Sequence, residues 1–412
     1  MASPTDSENA EKEMASLEET VNGKLQIKTE NQQAQQDPLM HDAVQSANSP
    51  PDFSNDPLSA TALISPLHGI NWDAVSAFQP ASLNSFAATA LSTSSIASAT
   101  NWEAFKRTGP IYPPSLEKMI MDYHHKNSKS WQLSHDMGSG SGLYSPVLAK
   151  YFRHVHISDP NTNGLGHSRQ AMTAWSAEHK KSRGRFTFSA GKPEDGHIAV
   201  ADRTVDLAIM LEGAHFTNAD AMVRSAAQSL APHGTLAFVS YHPVCHVFGN
   251  PAANEAVQRL FTAWGSQPYD VICGEASGKR QFSLGLDFIS IPDDLFDTSK
   301  TRRITINTQG KGSAAFQVPT APKRDASDSR VRSDERVQDF SSEHNDKEAT
   351  GWRQDVGAEF FRSLTAALAG GQSIQQFEQH FKDIQKIIFE SSPNGITITV
   401  EWTVAIVLAT RR

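Results

Sequence analysis

Between about Trp102 and Ser240 the chain alternates short apolar runs with amphipathic stretches of helical spacing. That alternation restricts it to βαβ units, and so to an α/β fold with a largely parallel sheet. Strands are expected at 130–135, 155–159, 185–190, 205–211 and 234–240, and helices at 115–123, 145–152, 166–181 and 219–230. The first helix is entered through Pro113-Pro114, with Ser115 placed to cap or begin it. Five such repeats make a doubly wound sheet, whose ligands sit in the crevice beyond the carboxyl ends of the strands. Asp136, Asp159 and Leu211 all fall at such ends. The run at 130–135 is unusually polar for a central strand.

The first strand end opens into Asp136-Met137-Gly138-Ser139-Gly140-Ser141-Gly142. Alternate glycines let the backbone take φ > 0 and let a ligand approach the main chain closely. Inward-pointing N–H groups in such a loop can meet a carboxylate or phosphate, and the helix expected to start near Ser145 adds its positive end. The third glycine comes one residue earlier than in the dinucleotide fingerprint G-x-G-x-x-G. Asp159, at the tip of the second strand, stands where a carboxylate accepts both hydroxyl hydrogens of a ribose. Asp136 is placed to fix the loop or to receive an ammonium through water.

Composition limits the rest. Only 38% of the 412 residues are hydrophobic, which points to a large share of chain outside any core. Residues 1–36 are rich in Glu, Gln, Asn and Lys, and 44–100 in Ser, Ala, Pro and Asn, so 1–100 reads as a disordered low-complexity arm: a spacer, or the place where a protein partner would attach. A net charge of −8 gives no electrostatic footprint for nucleic acid. No apolar run approaches the roughly 20 residues that span a bilayer, so no membrane partner is expected. Met1 to Glu13 is polar and acidic, unlike a secretory or transit signal, and a cytoplasmic location is expected, with the nucleus left open. Cys245 and Cys273 are too few for a disulfide framework or a Cys-based zinc site, and no metal is expected.

Taken together, the motifs resemble the class I S-adenosylmethionine-dependent methyltransferases, and within them the small-molecule group that includes trans-aconitate methyltransferase. The resemblance runs from about Phe105 to Ser240. It rests on the Asp136-x-Gly-x-Gly-x-Gly142 loop, Asp159, the segment Ala190-Gly191-Lys192-Pro193-Glu194-Asp195, the run from Val205 through Leu211-Glu212-Gly213-Ala214-His215-Phe216, and Leu230-Ala231-Pro232-His233-Gly234-Thr235-Leu236. Upstream, Arg107-Thr108-Gly109-Pro110-Ile111-Tyr112-Pro113 is similar to a segment preceding the first helix of that group. The resemblance implies a Rossmann-like sheet of about seven strands, the last antiparallel, and S-adenosyl-L-methionine as cofactor. It also implies that the cofactor's amino-acid part lies over Gly138, Gly140 and Gly142 beside Asp136, its ribose on Asp159, and Leu211 at the site. Lys192 stands where relatives carry an acid or amide that reads adenine, so the candidate substitutes are Glu194, Asp195 or a backbone contact. His215 matches a histidine common in the group, and Glu212 replaces a frequent glutamine.

On the acceptor side, Tyr112, His215 and Tyr241 are the candidate residues, and His242 the candidate base, because Tyr241-His242-Pro243 leaves the fifth strand above the crevice. Beyond the 101–245 core, residues 246–350 read as a substrate-side insertion, with a helix at 255–264 and a further strand at 302–307. Lys323 to Glu348 carries eight acids and six bases, so 322–350 is expected to be a charged disordered linker. Residues 351–412 should supply helices at 356–368 and 373–389, forming a lid or wall, and one last strand at 395–408. The expected function is methyl transfer to an oxygen, nitrogen or carbon of a small metabolite. The alternatives are a protein methyltransferase, a catalytically silent cofactor-binding regulator and, disfavoured by the glycine spacing, an NAD(P)-dependent oxidoreductase.

Overall fold

The computed structural model describes residues 108–180, 185–318, 321–340, 351–369 and 372–412. The expected disordered arm at 1–100 lies outside the described residues. Helix α1 (Pro114–Asn127) precedes β1 (Leu133–Met137), α2 (Ser145–Tyr151), β2 (His154–Asp159), α3 (Thr162–Glu178), β3 (Phe186–Ala190), α4 (Gly196–Ala199), β4 (Val205–Leu211), α5 (Ala219–Ser229) and β5 (Leu230–Tyr241). These five strands are parallel, in the order β3-β2-β1-β4-β5. Near-continuous apolar runs drive the centre: in Val205–Leu211 every residue but the last is buried, as a strand covered by helices on both faces requires.

The polar first strand begins three residues later than expected, so Asp136 lies inside β1, opposite Ile157 and Ile209. Trp131 is taken out of the strand by packing on His124 and Phe152, with ring centroids 4.5 and 5.1 Å apart. The polar side chains then pair across the sheet. His135 Nε2 lies 2.8 Å from Ser158 Oγ, while the ring nitrogens of His156 lie 2.8 and 2.9 Å from Thr187 Oγ1 and Ser189 Oγ. Burial holds both histidines below their usual pKa, His156 at about 4, so this seam is neutral at pH 7 and is tolerated in the core.

The eighth and outermost strand comes from the segment expected to be a linker. After α6 (Pro251–Trp264), α7 (Gln267–Cys273) and α8 (Ala276–Phe282), strand β7 (Arg302–Ile306) pairs in parallel with β8 (Arg336–Phe340). Residues 321–340 are thus ordered, a correction to the expected disordered linker at 322–350, of which 341–350 lie outside the described residues. Glu335, the acid that this segment buries, is paired. Arg303 meets Glu335 in a fully buried ion pair and donates to the carbonyls of Leu286 (3.1 Å) and Ile289 (2.7 Å), and Asp339 accepts from Thr305 and Thr308. A charged edge strand also blunts the sheet against further pairing.

The single strand expected at 395–408 is two strands in two sheets. Strand β10 (Ile398–Glu401) is the centre of a small antiparallel sheet between β6 (His246–Phe248) and β9 (Arg353–Val356), and β11 (Val404–Thr410) enters the main sheet antiparallel to both β5 and β7. The break falls at Trp402-Thr403 because both residues are buried and bonded elsewhere. Trp402 O accepts from Asn307 Nδ2 (3.1 Å), Trp402 N donates to Trp352 O (3.2 Å), and Thr403 O accepts from His242 N (2.8 Å). Helix α9 (Ala358–Leu368) packs on α7 and on α10 (Glu378–Ser391), which lies along α6. No helix among the described residues is long and apolar enough to cross a membrane.

Candidate cofactor and acceptor site

The turn after β1 needs its glycines. Gly138, Gly140 and Gly142 have φ of 65°, 55° and 74°, the left-handed region that side chains avoid. At Gly142 space forbids a side chain as well, since an added Cβ would lie 2.8 Å from Ser168 Oγ and 3.2 Å from Ser168 Cα on α3. The loop is tied down on both flanks. Ser139 N donates to Ser158 O (3.1 Å), Gly140 N to Asp159 Oδ2 (2.7 Å), and Ser168 Oγ to Gly140 O (2.8 Å).

Asp159 accepts a second backbone N–H, that of Asn161, at 2.7 Å. Burial raises its pKa and these two bonds pull it back. Two of the roughly four lone-pair positions of the carboxylate remain available. Asp136 is nearly inaccessible and accepts from Ser145 Oγ at 2.6 Å. Its pKa is pushed up to about 7 by burial, opposed by the Ser145 hydroxyl and reinforced by the charge of Asp159. No Lys or Arg among the described residues forms an ion pair with either acid. The pairing with Ser145 was missed at the sequence level, and the serine at the start of the following helix is the signal that could have found it. Glu194 Oε1 accepts from Asn218 N (2.7 Å) and so ties the β3 loop to the N-cap of α5.

Across the crevice, Tyr112 stands edge-on to Tyr144 (5.6 Å) and to Trp352 (6.3 Å). Its hydroxyl is held above its usual pKa by burial, then by Tyr241, Glu212, Asp136 and Tyr144, which brings these five residues into one neighbourhood at the ends of β1, β4 and β5. Glu212, just past Leu211, takes φ of 59° and accepts from Tyr241 N at 2.6 Å. Positive φ at a non-glycine residue is a strained state that a functional site often retains. Glu212, Tyr144 and Trp352 are the members of this cluster that were not among the candidate residues.

His242 is not at the open crevice, which corrects its placement as candidate base. It is buried in an aromatic cluster with Tyr269, Phe282 and Phe316, its Nδ1 near the backbone of Val244 and its Nε2 3.5 Å from Tyr269 OH. Its N–H is used to hold the Trp402-Thr403 break. His215 sits beside it, with Nε2 on Ile272 O (2.9 Å) and its ring on Phe216 and Phe282. Burial lowers both imidazoles to about 4, so both are neutral at pH 7.

Residues 135–238 match a family described as a methyltransferase domain. The methyltransferase gedG of Aspergillus terreus is 24% identical over 329 residues, covering 75% of this chain and 91% of its own. The methyltransferase cfoB of Aspergillus candidus is 31% identical over 201 residues, 46% of this chain and 60% of its own, and the methyltransferase tpcM of Aspergillus fumigatus is 24% identical over 324 residues, 76% and 91%. These matches reach the class and not the trans-aconitate group. Together with the glycine loop, its two strand-end acids and the strand order β3-β2-β1-β4-β5 with an antiparallel neighbour, these matches support a class I S-adenosylmethionine-dependent methyltransferase.

Proposed function

We propose that the protein transfers the methyl group of S-adenosylmethionine to a small organic acceptor held above the ends of β4 and β5. The observation that carries this reading is the left-handed glycine loop braced by Asp159, with the buried carboxylate of Asp136 beside it lacking a basic partner among the described residues. Such a carboxylate suits a ligand that brings positive charge. When bound, S-adenosylmethionine supplies an electrophilic methyl group on a positively charged sulfur. Gly138, Gly140 and Gly142 give it backbone to lie against, Asp159 offers its free lone pairs to the ribose hydroxyls, Asp136 balances charge at the amino-acid end, and Leu211 covers the crevice floor. Glu194 keeps one carboxylate oxygen for the adenine side while the other holds Asn218.

Displacement at the methyl carbon is driven largely by positioning, so the tyrosines and Glu212 act by orienting the acceptor and excluding water. Buried, neutral His215 shapes the wall, and His242 supports it from behind. Calorimetric titration with S-adenosylmethionine, S-adenosylhomocysteine and NADPH tests the assignment. Binding of the first two and not the third is expected, and binding of NADPH alone would overturn it.

A further inference from the structure

We propose that Glu212 selects the methyl acceptor, accepting a hydrogen bond from a neutral hydroxyl and turning away carboxylates; this rests on the methyltransferase reading above. Its two oxygens are unequally satisfied. Oε1 accepts from Tyr241 N at 2.6 Å, which fixes the carboxyl at the head of β5. Oε2 has only Ser240 Oγ at 3.5 Å, well beyond the roughly 2.5–3.0 Å of a good O–H···O bond. Glu212 is half-buried rather than sealed in the core.

The groups around Glu212 sharpen the selection. Tyr112 precedes α1, Tyr241 and Ser240 end β5, Cys273 ends α7, and Asp136 approaches through Tyr112 from β1. None is a cation. Lys279 on α8, which reaches Cys273, is committed to Asp270, and the nearby histidines are neutral. A carboxylate acceptor would bring negative charge beside two acids that the crevice already desolvates, whereas a hydroxyl meets an acceptor with spare capacity. Burial, opposed by Tyr241 N–H and the Ser240 hydroxyl, holds the Glu212 carboxyl well above its usual pKa, so an anionic acceptor is accommodated only with a proton shared between the two carboxyls. Tyr112, Tyr144 and Trp352 form an aromatic wall, and Ile111 and Leu143, each next to one of these tyrosines in the chain, leave large apolar side chains exposed. The class of acceptor this fits is a flat, largely apolar molecule bearing a hydroxyl.

The test is calorimetry on the full chain saturated with S-adenosylhomocysteine, using 2-naphthol and 2-naphthoate as matched probes. Wild type should bind the naphthol at least about tenfold more tightly at pH near 7.5, the scale on which a polar site rejects a mismatched analogue. Naphthoate binding should improve as the pH is lowered. Glu212→Gln keeps the acceptor for Tyr241 N and the side-chain volume, so S-adenosylhomocysteine binding and the unfolding midpoint report an intact site. In that variant the ratio should fall to within about threefold and the pH response of naphthoate should shrink to what Asp136 contributes, because the carboxyl that discriminates is gone. Equal or preferred binding of naphthoate to wild type, binding of neither probe, or an unchanged ratio in a folded Glu212→Gln would overturn the proposal. Failure of wild type to bind S-adenosylhomocysteine would instead overturn the function it rests on.

Discussion

Gly142→Ala is the sharpest single test of the loop. Two costs apply there. A non-glycine residue at φ of 74° costs about 1–2 kcal/mol. The new Cβ would stand 2.8 Å from Ser168 Oγ, 3.0 Å from its Cβ and 3.2 Å from its Cα, and the last of these is helix backbone that cannot swing away. Overpacking of this kind costs roughly 1–3 kcal/mol. The total is about 2–5 kcal/mol, which the protein can accept as lost stability or relieve by displacing the loop. If it is relieved in the loop, affinity for S-adenosylhomocysteine should fall by roughly 30-fold or more, at about 1.4 kcal/mol per factor of ten. Calorimetric titration and urea unfolding on the same protein divide the two routes. Gly166→Ala is the internal control, since that glycine lies within α3 with φ outside the left-handed region and open space where its Cβ would go. It should leave binding unchanged and gain up to about 1 kcal/mol of stability from helix propensity. A Gly142→Ala protein that binds within threefold of wild type and unfolds at the same urea concentration would refute the reasoning.

Asp159→Asn should weaken S-adenosylhomocysteine binding about tenfold or more in the same titration, since it loses charge-assisted bonds worth about 1.5–3 kcal/mol each. Stability against pH should show two opposed contributions. Buried His124, His156, His215 and His242, lowered to about 4, bind fewer protons folded than unfolded, so they favour the fold increasingly as pH rises from about 4 to 6.5 and withdraw that support on acidification. Asp136, raised to about 7, does the reverse: its contribution is present at low pH and is lost as pH rises through 7. Urea unfolding of Asp136→Asn from pH 4 to 8 should therefore gain on wild type as pH rises, and parallel curves would refute the assignment of that pKa. Arg303→Met strands Glu335 without its partner and should cost about 3–5 kcal/mol by urea unfolding, whereas a solvated linker would make the change nearly silent.

Where one force dominated, the sequence was easily read. The run at 205–211 became β4 at its expected bounds because burial on both faces leaves an apolar strand little choice, and the glycines at 138, 140 and 142 announced left-handed backbone directly. Position was harder wherever polar groups found partners far along the chain. The seam from His135 through Ser158 and His156 to Ser189 is set by bonds between neighbouring strands, and a periodicity reading of 130–135 has no access to them. Paired charges misled in the same way: Glu335 reads as part of a solvated linker until Arg303 of the expected strand at 302–307 is set beside it, and together they are buried. The break at Trp402-Thr403 is likewise fixed by Asn307 and His242, some 95 to 160 residues away. On the site, offsets from a glycine motif located Asp136 and Asp159. Glu212 was read only as a replacement for glutamine, because its role depends on which carboxylate oxygen the head of β5 occupies.

That dependence also explains why the loop's own acid need not wait for a ligand to be useful. Asp159 accepts Gly140 N and Asn161 N simultaneously, so the charge that would serve a ribose already holds the glycine loop to β2. Glycines left free at three alternate positions would pay an ordering cost on binding. Bracing them beforehand shifts that cost from the binding step to folding, where the buried sheet supplies the compensation. A carboxylate with four acceptor positions is the smallest side chain able to do both, and the amide of Asn, with one oxygen, is not. Asp159→Asn should thus lower the protection of the Gly140 amide against hydrogen exchange in the absence of any ligand. A loop equally protected in both proteins would mean that Ser168 and Ser139 suffice to hold it, and that Asp159 acts on the cofactor alone.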